Sequence, residues 1–260
     1  MSPRAKPKIA VVQFPGVNCE YETARALEAA GARASVVRFN LPPGEIQSFD
    51  GYALPGGFSY EDRVRAGAIA AKDAVVEVLA EEAKRGKPLL GICNGAQILV
   101  EAGIVPGREP GRVEMALAHN RHPYHDGFLC RWVFCRHEPS GEVLPLPIAH
   151  AEGRFTCDEE AALTALEAHE LVYLRYVDEA GAAAGEEYNP NGAALDAAAV
   201  RSYSADAVAV MPHPERASWL YQLPTYLPGP WGVRRRRAAG KQLFEPGPGR
   251  VIFDDFLKLV

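Results

Sequence analysis

Pro88-Leu-Leu-Gly-Ile-Cys-Asn-Gly-Ala-Gln97 is the stretch that decides the fold, because a short apolar run turns at a cysteine into a helical pattern. Residues 88–92 are predicted to form a buried strand, and residues 95–101 a short helix. Glycines on both sides of Cys93 permit a tight turn that raises its side chain above the sheet. The stretch therefore predicts a cysteine at the carboxyl end of a strand.

The residues before this turn alternate between short apolar runs and helical patterns. The predicted elements are strands at 9–12, 34–39 and 51–54 and helices at 18–28, with Gly31 as C-cap, and at 64–84. Strands joined by helices pair in parallel through right-handed crossovers, and continuously apolar strands indicate a sheet that is covered on both faces. The predicted fold class is α/β, with a doubly wound, mostly parallel sheet.

The second half of the chain has a more mixed pattern. Its predicted elements are antiparallel strands within 112–147, added to the parallel core, a helix near 158–168, a turn at 189–192, a buried strand at 207–211 and an amphipathic helix at 251–259. Residues 224–249 hold five prolines, five glycines and the run Arg234–Arg237, so they are predicted to form a long loop or arm. We expect a single domain over residues 8–260.

The composition bounds the class of protein. Of 260 residues, 48% are apolar and 23% charged, which is typical of a folded globular protein. A net charge of −5 does not favour binding to nucleic acid or to an anionic membrane. The apolar run at residues 9–12 is too short for a signal-peptide core, and no apolar stretch approaches the ~20 residues that span a bilayer. Five cysteines, an odd and sparse number, indicate a reducing cytoplasm, which is the expected location.

Cys93 is the candidate nucleophile. The positive end of the following helix favours a thiolate there, although a buried structural cysteine at a strand end remains the alternative. Pro55-Gly56-Gly57 ends a neighbouring parallel strand at the same edge, where a Gly-Gly turn can direct an N–H at a developing oxyanion. The amide of Asn94 is a second donor. Gln97, four residues after Cys93, lies on the same helix face and is a candidate substrate ligand.

A thiol nucleophile needs a base, and the base needs a carboxylate that orients it. Two His-x-Glu pairs are available, His150-Ala-Glu152 and His213-Pro-Glu215. The second pair follows a buried strand, and prolines on both sides of His213 stiffen its turn. This pattern favours His213, and it leaves His150 open as the alternative.

Several ordered motifs between residues 9 and 216 make this sequence resemble the class I (triad) glutamine amidotransferases, which have a flavodoxin-like fold. Within that class it is similar to the glutaminase subunits of phosphoribosylformylglycinamidine synthase. The motifs that carry the resemblance are Phe14-Pro-Gly-Val-Asn-Cys19, Leu54-Pro-Gly-Gly-Phe-Ser-Tyr60, Ala66-Gly-Ala-Ile69, Gly91-Ile-Cys-Asn-Gly-Ala-Gln97, Pro147-Ile-Ala-His-Ala-Glu-Gly-Arg-Phe155, Asn189-Pro-Asn-Gly192 and Met211-Pro-His-Pro-Glu-Arg216.

The resemblance implies a role for each candidate residue. It implies a catalytic triad of Cys93 as nucleophile, His213 as base and Glu215 as the partner of the base. It implies that Gly57 and Asn94 form the oxyanion hole. It also implies that the glutamine pocket is formed by Gln97, His150, Glu152 and Gly153. Cys19 lies in one of the motifs but has no adjacent base in the sequence, so a structural role is expected for it.

The resemblance also implies the reaction and the partners. Glutamine is hydrolysed through a cysteine thioester, and ammonia passes to a large synthetase subunit, with a small third subunit in the complex. ATP and Mg²⁺ are expected on that partner and no cofactor on this chain, which has no Gly-x-x-x-x-Gly-Lys-Ser/Thr loop. The alternatives are a glutaminase for another acceptor, a cysteine hydrolase or peptidase of similar fold, and a non-catalytic regulatory module.

No metal site is expected. Histidines and cysteines between residues 119 and 137 offer a zinc site as the alternative, but Cys130 and Cys135 are expected on opposite faces of a strand, and their spacing is at the edge of zinc patterns. Those residues are His119, His122, His125, Cys130, Cys135 and His137.

Overall fold

The computed structural model describes residues 5–124, 127–157 and 159–260. Two residues named above lie outside these ranges: His125, weighed as a zinc ligand, and Asp158, at the start of a predicted helix.

The strands of the described residues form one large sheet and a small one. They are β1 (Lys8–Gln13), β2 (Arg33–Arg38), β3 (Gly51–Leu54), β4 (Leu89–Ile92), β5 (Ala116–Ala118), β6 (Leu129–His137), β7 (Val143–His150), β8 (Arg154–Thr156), β9 (Val172–Val177), β10 (Ala197–Arg201) and β11 (Ala207–Val210). The large sheet has the order β2-β1-β3-β4-β11-β10-β9-β6-β7, and β5 pairs with β8. The first five strands in this order, from β2 to β11, pair in parallel. The other four, β10, β9, β6 and β7, pair antiparallel with their neighbours. This arrangement confirms the predicted fold class.

Helices cover the sheet. They are α1 (Glu20–Ala30), α2 (Pro43–Ile46), α3 (Ala74–Lys84), α4 (Asn94–Glu101), α5 (Glu160–Ala168), α6 (Gly185–Tyr188), α7 (Gly229–Arg237) and α8 (Arg250–Lys258). Helix α1 packs against α8, and α4 packs on β3, β4 and β11. Among the helices of the described ranges, none is both long and apolar enough to cross a bilayer.

Two features of the sheet follow from residue type. Strands β3 and β4 are buried at every position, as their continuous apolar sequence predicts. The edge strand β7 contains Pro145 and Pro147, which lack the N–H that a central strand donates to its neighbours. The parallel strands β3, β4 and β11 are adjacent, so the residues after Leu54, Ile92 and Val210 meet at one edge of the sheet.

The helix predicted over residues 64–84 is wrong in its first half. It begins only at Ala74, and the chain before it follows turns in which Tyr60, Glu61, Asp62 and Val64 have positive φ. The alanine-rich sequence suits a helix locally, but contact with α4 overrides that preference. Gly67 has a φ of +78°, and a Cβ there would lie 2.8 Å from the backbone of Gln97.

The loop or arm predicted over residues 224–249 is also wrong, because it contains α7 and packs on the protein. Trp231 joins a small buried cluster with Leu220, Leu223 and Leu227, against Trp132 and Phe134 of β6. Three of the four arginines bond within this segment, although most of the run is exposed: Arg234 stacks on Trp231, and Arg235 and Arg236 donate hydrogen bonds to backbone carbonyls at residues 223–227. These contacts order a segment whose composition alone indicates a loop.

Trp231→Ala is expected to lower the free energy of unfolding by about 3–5 kcal/mol, the usual cost of truncating a buried tryptophan. Urea denaturation followed by circular dichroism measures the loss. Tyr226→Ala, in the same segment but 75% exposed, is the matched control and is expected to change stability by about 0.5 kcal/mol or less. If the Trp231→Ala protein were as stable as the control, the packing of this segment would be contradicted, and the predicted loop would be the better description.

Candidate active site

Cys93 lies at a strained turn between β4 and α4. Its φ of 50° and ψ of −105° are unusual for a residue other than glycine, and its N–H donates to the carbonyl of Val210 over 2.7 Å. The thiol is only 5% exposed and lies 3.6 Å from the carbonyl oxygen of Ala149 on β7. The turn therefore carries the sulfur into an enclosed position rather than onto an open surface.

Two glycines let this turn pack against β3. A Cβ at Gly95 would lie 1.9 Å from the carbonyl oxygen of Leu54, and a Cβ at Gly91 would lie 2.6 Å from that of Gly95. Real side chains do not fit at these distances. The Gly-x-Cys-x-Gly pattern is therefore a packing requirement that brings Cys93 beside the turn after β3.

His213 and Glu215 form a buried pair after β11. His213 Nδ1 lies 2.6 Å from Glu215 Oε1, and the two residues are 3% and 0% exposed. Burial alone lowers the pKa of His213, but Glu215, Cys93 and Cys19 outweigh it, so the pKa is raised above its ordinary value. His213 Nε2 is buried without a hydrogen-bond partner in the described residues. The geometry gives a histidine whose ring is oriented by Glu215 through Nδ1.

His150, the alternative base, lies in a different environment. It is 3% exposed, and its Nδ1 lies 3.1 Å from Asn120 Oδ1. Burial and the nearby charge of His213 lower the pKa of His150 to about 3, so the ring stays neutral. Of the two His-x-Glu pairs, only His213 bonds to the carboxylate of its own pair. Glu152 does not bond to His150 and instead accepts from the backbone N–H of Ala66 over 3.1 Å.

The turn after β3 places Gly56 beside His213 and Cys93, and it places Gly57 against residues 17 and 18. A Cβ at Gly56 would lie 2.8 Å from His213 Cε1, and one at Gly57, where φ is +149°, would lie 2.5 Å from Val17 Cα. Residues 16–19 hold this turn, since the N–H of Phe58 donates to the carbonyl of Gly16 over 3.0 Å. Only glycine at these two positions allows the turn to approach so closely.

The side chains of Asn94 and Gln97 belong to a hydrogen-bonded network. Asn94 Nδ2 donates to Gln97 Oε1 and to Asp62 Oδ1, and Asn94 Oδ1 accepts from the N–H of Ser59. Gln97 Nε2 donates to the carbonyl of Glu152 over 2.6 Å. Partial burial and the charge of Glu152 raise the pKa of Asp62 to about 6, against the effect of its bond with Asn94. The network fixes α4 relative to residues 59–62 and the segment around Glu152.

Asn120 and Asn191 were not predicted as site residues, yet they hold Gly153. The N–H of Gly153 donates to Asn120 Oδ1, and its carbonyl accepts from Asn191 Nδ2 over 2.8 Å. Asn191 is 0% exposed and lies in the Asn189-Pro-Asn-Gly192 motif, which was the available signal. No sequence signal marked Asn120, which bonds mainly to residues 150–153, about 30 positions away along the chain.

Cys19 and Arg216 were missed as members of this cluster. Arg216 Nη2 lies 3.2 Å from Cys19 Sγ, so the thiol has polar neighbours that sequence spacing did not reveal. Within the described residues, Cys19, His213 and Glu215 are the one group whose potential metal-ligating atoms all lie within 4.8 Å of each other. Within this group, His213 and Glu215 already bond to each other.

The doubly wound sheet, the cysteine turn and the buried His-Glu pair define a cysteine-dependent amide hydrolase or transferase with a Cys-His-Glu triad. A family model, the CobB/CobQ-like glutamine amidotransferase domain, matches residues 6–248. The chain belongs to this family of glutamine amidotransferases, which confirms the resemblance found in the sequence.

Individual relatives cover nearly the whole chain. Phosphoribosylformylglycinamidine synthase subunit PurQ of Methanothrix thermoacetophila is 40% identical over 97% of this chain and 98% of its own length. The PurQ subunit of Thermus thermophilus is 43% identical over 80% of this chain and 88% of its own. A solved structure of PurLQS from Thermotoga maritima matches with a TM-score of 0.70 and 30% identity, over 98% of this chain and 99% of that one.

Proposed function

We propose that this chain is the glutaminase subunit of phosphoribosylformylglycinamidine synthase, acting on L-glutamine. The observation that carries the proposal is that Cys93, His213 and Glu215 meet at one sheet edge in a member of the glutamine amidotransferase family. The Methanothrix and Thermus relatives are PurQ subunits of this synthase, which supports this acceptor over another. Family membership also argues against a peptidase of similar fold.

The geometry suits a two-step hydrolysis. The Cys93 thiolate attacks the side-chain amide carbon of glutamine, while the N–H groups of Gly57 and Asn94 stabilise the oxyanion. Imidazolium at His213 gives its proton to the departing ammonia, which leaves a γ-glutamyl thioester on Cys93. Neutral His213 then removes a proton from water, which hydrolyses the thioester to glutamate. Glu215 orients the ring through Nδ1 in both steps.

The pocket residues have supporting parts in this proposal. Gln97 and the segment of His150, Glu152 and Gly153 form the wall on which glutamine lies, and the two asparagines described above fix that wall. His150, neutral at physiological pH, is a hydrogen-bonding group there rather than a base.

The ammonia is used by other subunits in this proposal. A large synthetase subunit binds ATP and Mg²⁺ and converts formylglycinamide ribonucleotide to the amidine, and a small third subunit completes the complex. The Thermotoga maritima structure, named PurLQS, supports a heteromeric assembly. This chain needs no cofactor of its own for the hydrolysis.

Co-expression of this chain with the synthetase and small subunits of its organism tests the proposal. We expect the subunits to co-purify and to form the amidine from formylglycinamide ribonucleotide, ATP and glutamine, with glutamate released in equal amount. Ammonium-driven product without any glutamine-driven product would contradict the glutaminase assignment. Glutamate release coupled only to a different acceptor would contradict the choice of synthase.

A further inference from the structure

Cys19 is a buried thiol that the proposed reaction does not use. It is 1% exposed, and its Sγ lies within 4.8 Å of a ring nitrogen of His213 and of a carboxylate oxygen of Glu215. The thiol donates to Asn18 Oδ1 over 3.2 Å and accepts from Arg216 Nη2 over 3.2 Å. Its sulfur therefore lies in a polar cluster around the base. A cysteine that only filled space in the core would have apolar neighbours instead.

The backbone of Cys19 holds the turn that carries the oxyanion donor. The N–H groups of Asn18 and Cys19 both donate to the carbonyl oxygen of Gly56, over 3.3 and 3.2 Å. A Cβ at Gly56 would lie 3.4 Å from Cys19 Sγ, 3.4 Å from Cys93 Cβ and 2.8 Å from His213 Cε1. The turn, the nucleophile, the base and Cys19 thus converge on one point.

Arg216 connects this point to helix α1. Its Nε lies 3.2 Å from Glu22 Oε2 on α1 and 3.8 Å from Glu215 Oε1. Burial alone lowers the pKa of Arg216, but Cys19, Glu22 and Glu215 raise it overall, so the guanidinium stays charged. Arg216 therefore links the sulfur of Cys19 to the carboxylates of Glu22 and Glu215.

We propose that Cys19 is a positioning residue for the base: its thiol, held by Arg216, fixes the imidazole of His213 against the glycine turn at Gly56. The inference rests on the proposed function, because it concerns the base of that glutaminase reaction. Cys19 makes no covalent bond to substrate, and Cys93 remains the nucleophile.

The proposal has a consequence for pH dependence. The titratable and charged groups that face His213 come from four parts of the chain: Cys19 before α1, Cys93 before α4, His150 on β7, and Glu215 and Arg216 on its own turn. Cys19 is among the groups that raise the pKa of His213 against burial. The acid that protonates ammonia is lost as pH rises through this pKa. Removing the sulfur therefore moves the alkaline limb of activity to lower pH.

Cys19→Ala and Cys19→Ser, each in the assembled complex, test the role. We expect Cys19→Ala to lower kcat for glutamine about tenfold, which is less than the ~10²-fold loss that a 1 Å misplacement can cause. We expect KM to change by less than about twofold. Its alkaline limb of kcat against pH is expected at lower pH than in the parent. Serine keeps a polar acceptor, so Cys19→Ser is expected to recover part of the rate and part of the shift.

Controls separate positioning from packing. Cys130→Ala removes an exposed thiol on β6 and is expected to leave kcat and the pH profile unchanged. Ammonium-driven synthesis shows that the partner subunits are intact, and thermal melting shows that each variant is folded. If Cys19→Ala is unfolded, the kcat and pH profile of Cys19→Ser test the proposal instead. An alkaline limb that does not move in the folded variants, or a full kcat in Cys19→Ala, overturns the inference. A parent complex without glutamine-driven activity would instead count against the proposed function.

Discussion

Cys93→Ala is expected to abolish glutamine-dependent synthesis in the assembled complex, while synthesis driven by ammonium salt continues at the parent rate. The substitution removes the atom that forms the thioester, so glutamine can no longer release ammonia. In the proposed complex, the ATP-dependent chemistry lies on the partner subunit and does not need this sulfur. Product formation is measured with saturating glutamine and, separately, with ammonium chloride.

The control for this experiment is a thiol that lies away from the triad. Cys130→Ala, on the exposed side of β6, is expected to keep both activities. Circular dichroism and co-purification must show that the Cys93→Ala chain is folded and bound to its partners. If ammonium-driven synthesis fell as far as the glutamine-driven reaction in an intact complex, Cys93 would do more than release ammonia, and the proposed division between subunits would be wrong.

His213→Ala is expected to lower kcat for glutamine about 10²-fold or more, which is the usual contribution of a general acid–base group. In the proposed mechanism this ring is both the acid for ammonia and the base for water, and the raised pKa and the bond to Glu215 suit it to that role. Steady-state glutamate release at saturating glutamine measures the effect.

His150→Ala is the matched comparison, since both histidines are buried and each belongs to a His-x-Glu pair. We expect it mainly to raise KM, because it removes the contact with Asn120 that supports Gly153 in the glutamine pocket. A neutral ring, with a pKa of about 3, offers no proton to leaving ammonia at physiological pH. A larger fall in kcat from His150→Ala than from His213→Ala would reverse the assignment of the base.

Much of the fold was predictable because its signals are local. The apolar run of β3 and the Gly31 C-cap of α1 lie where the sequence places them. Residues 64–73 could not be predicted, because their alanines favour a helix, whereas contacts with distant residues, such as that of Gly67 with α4, set their conformation. The helix at Gly229–Arg237 escaped detection for a related reason. Its stability comes from Trp231 and from carbonyls that accept from the arginines, and neither contact has a local signature.

The site residues also divide into those with a local sequence signal and those without one. Cys93 and the pair His213 and Glu215 were found because each lies in a short motif after a buried strand, although their catalytic roles stay predictions until they are tested. Asn120 and Cys19 act across the fold, and sequence spacing carries no information about such contacts. The lack of an adjacent base in sequence was therefore a poor reason to expect a structural role for Cys19.

The prolines of β7 also bear on how the protein avoids polymerising through its sheet. The carbonyl of Pro147 accepts from the N–H of His213, so this side of β7 faces away from β6, and Pro145 shares that side. An incoming strand from another molecule would need N–H donors at these positions, and proline supplies none. The turn at residues 214–217, directly after His213, also packs against β7. Strand addition at this edge is thereby opposed, and the same residues that seat the base protect the sheet from edge-to-edge aggregation.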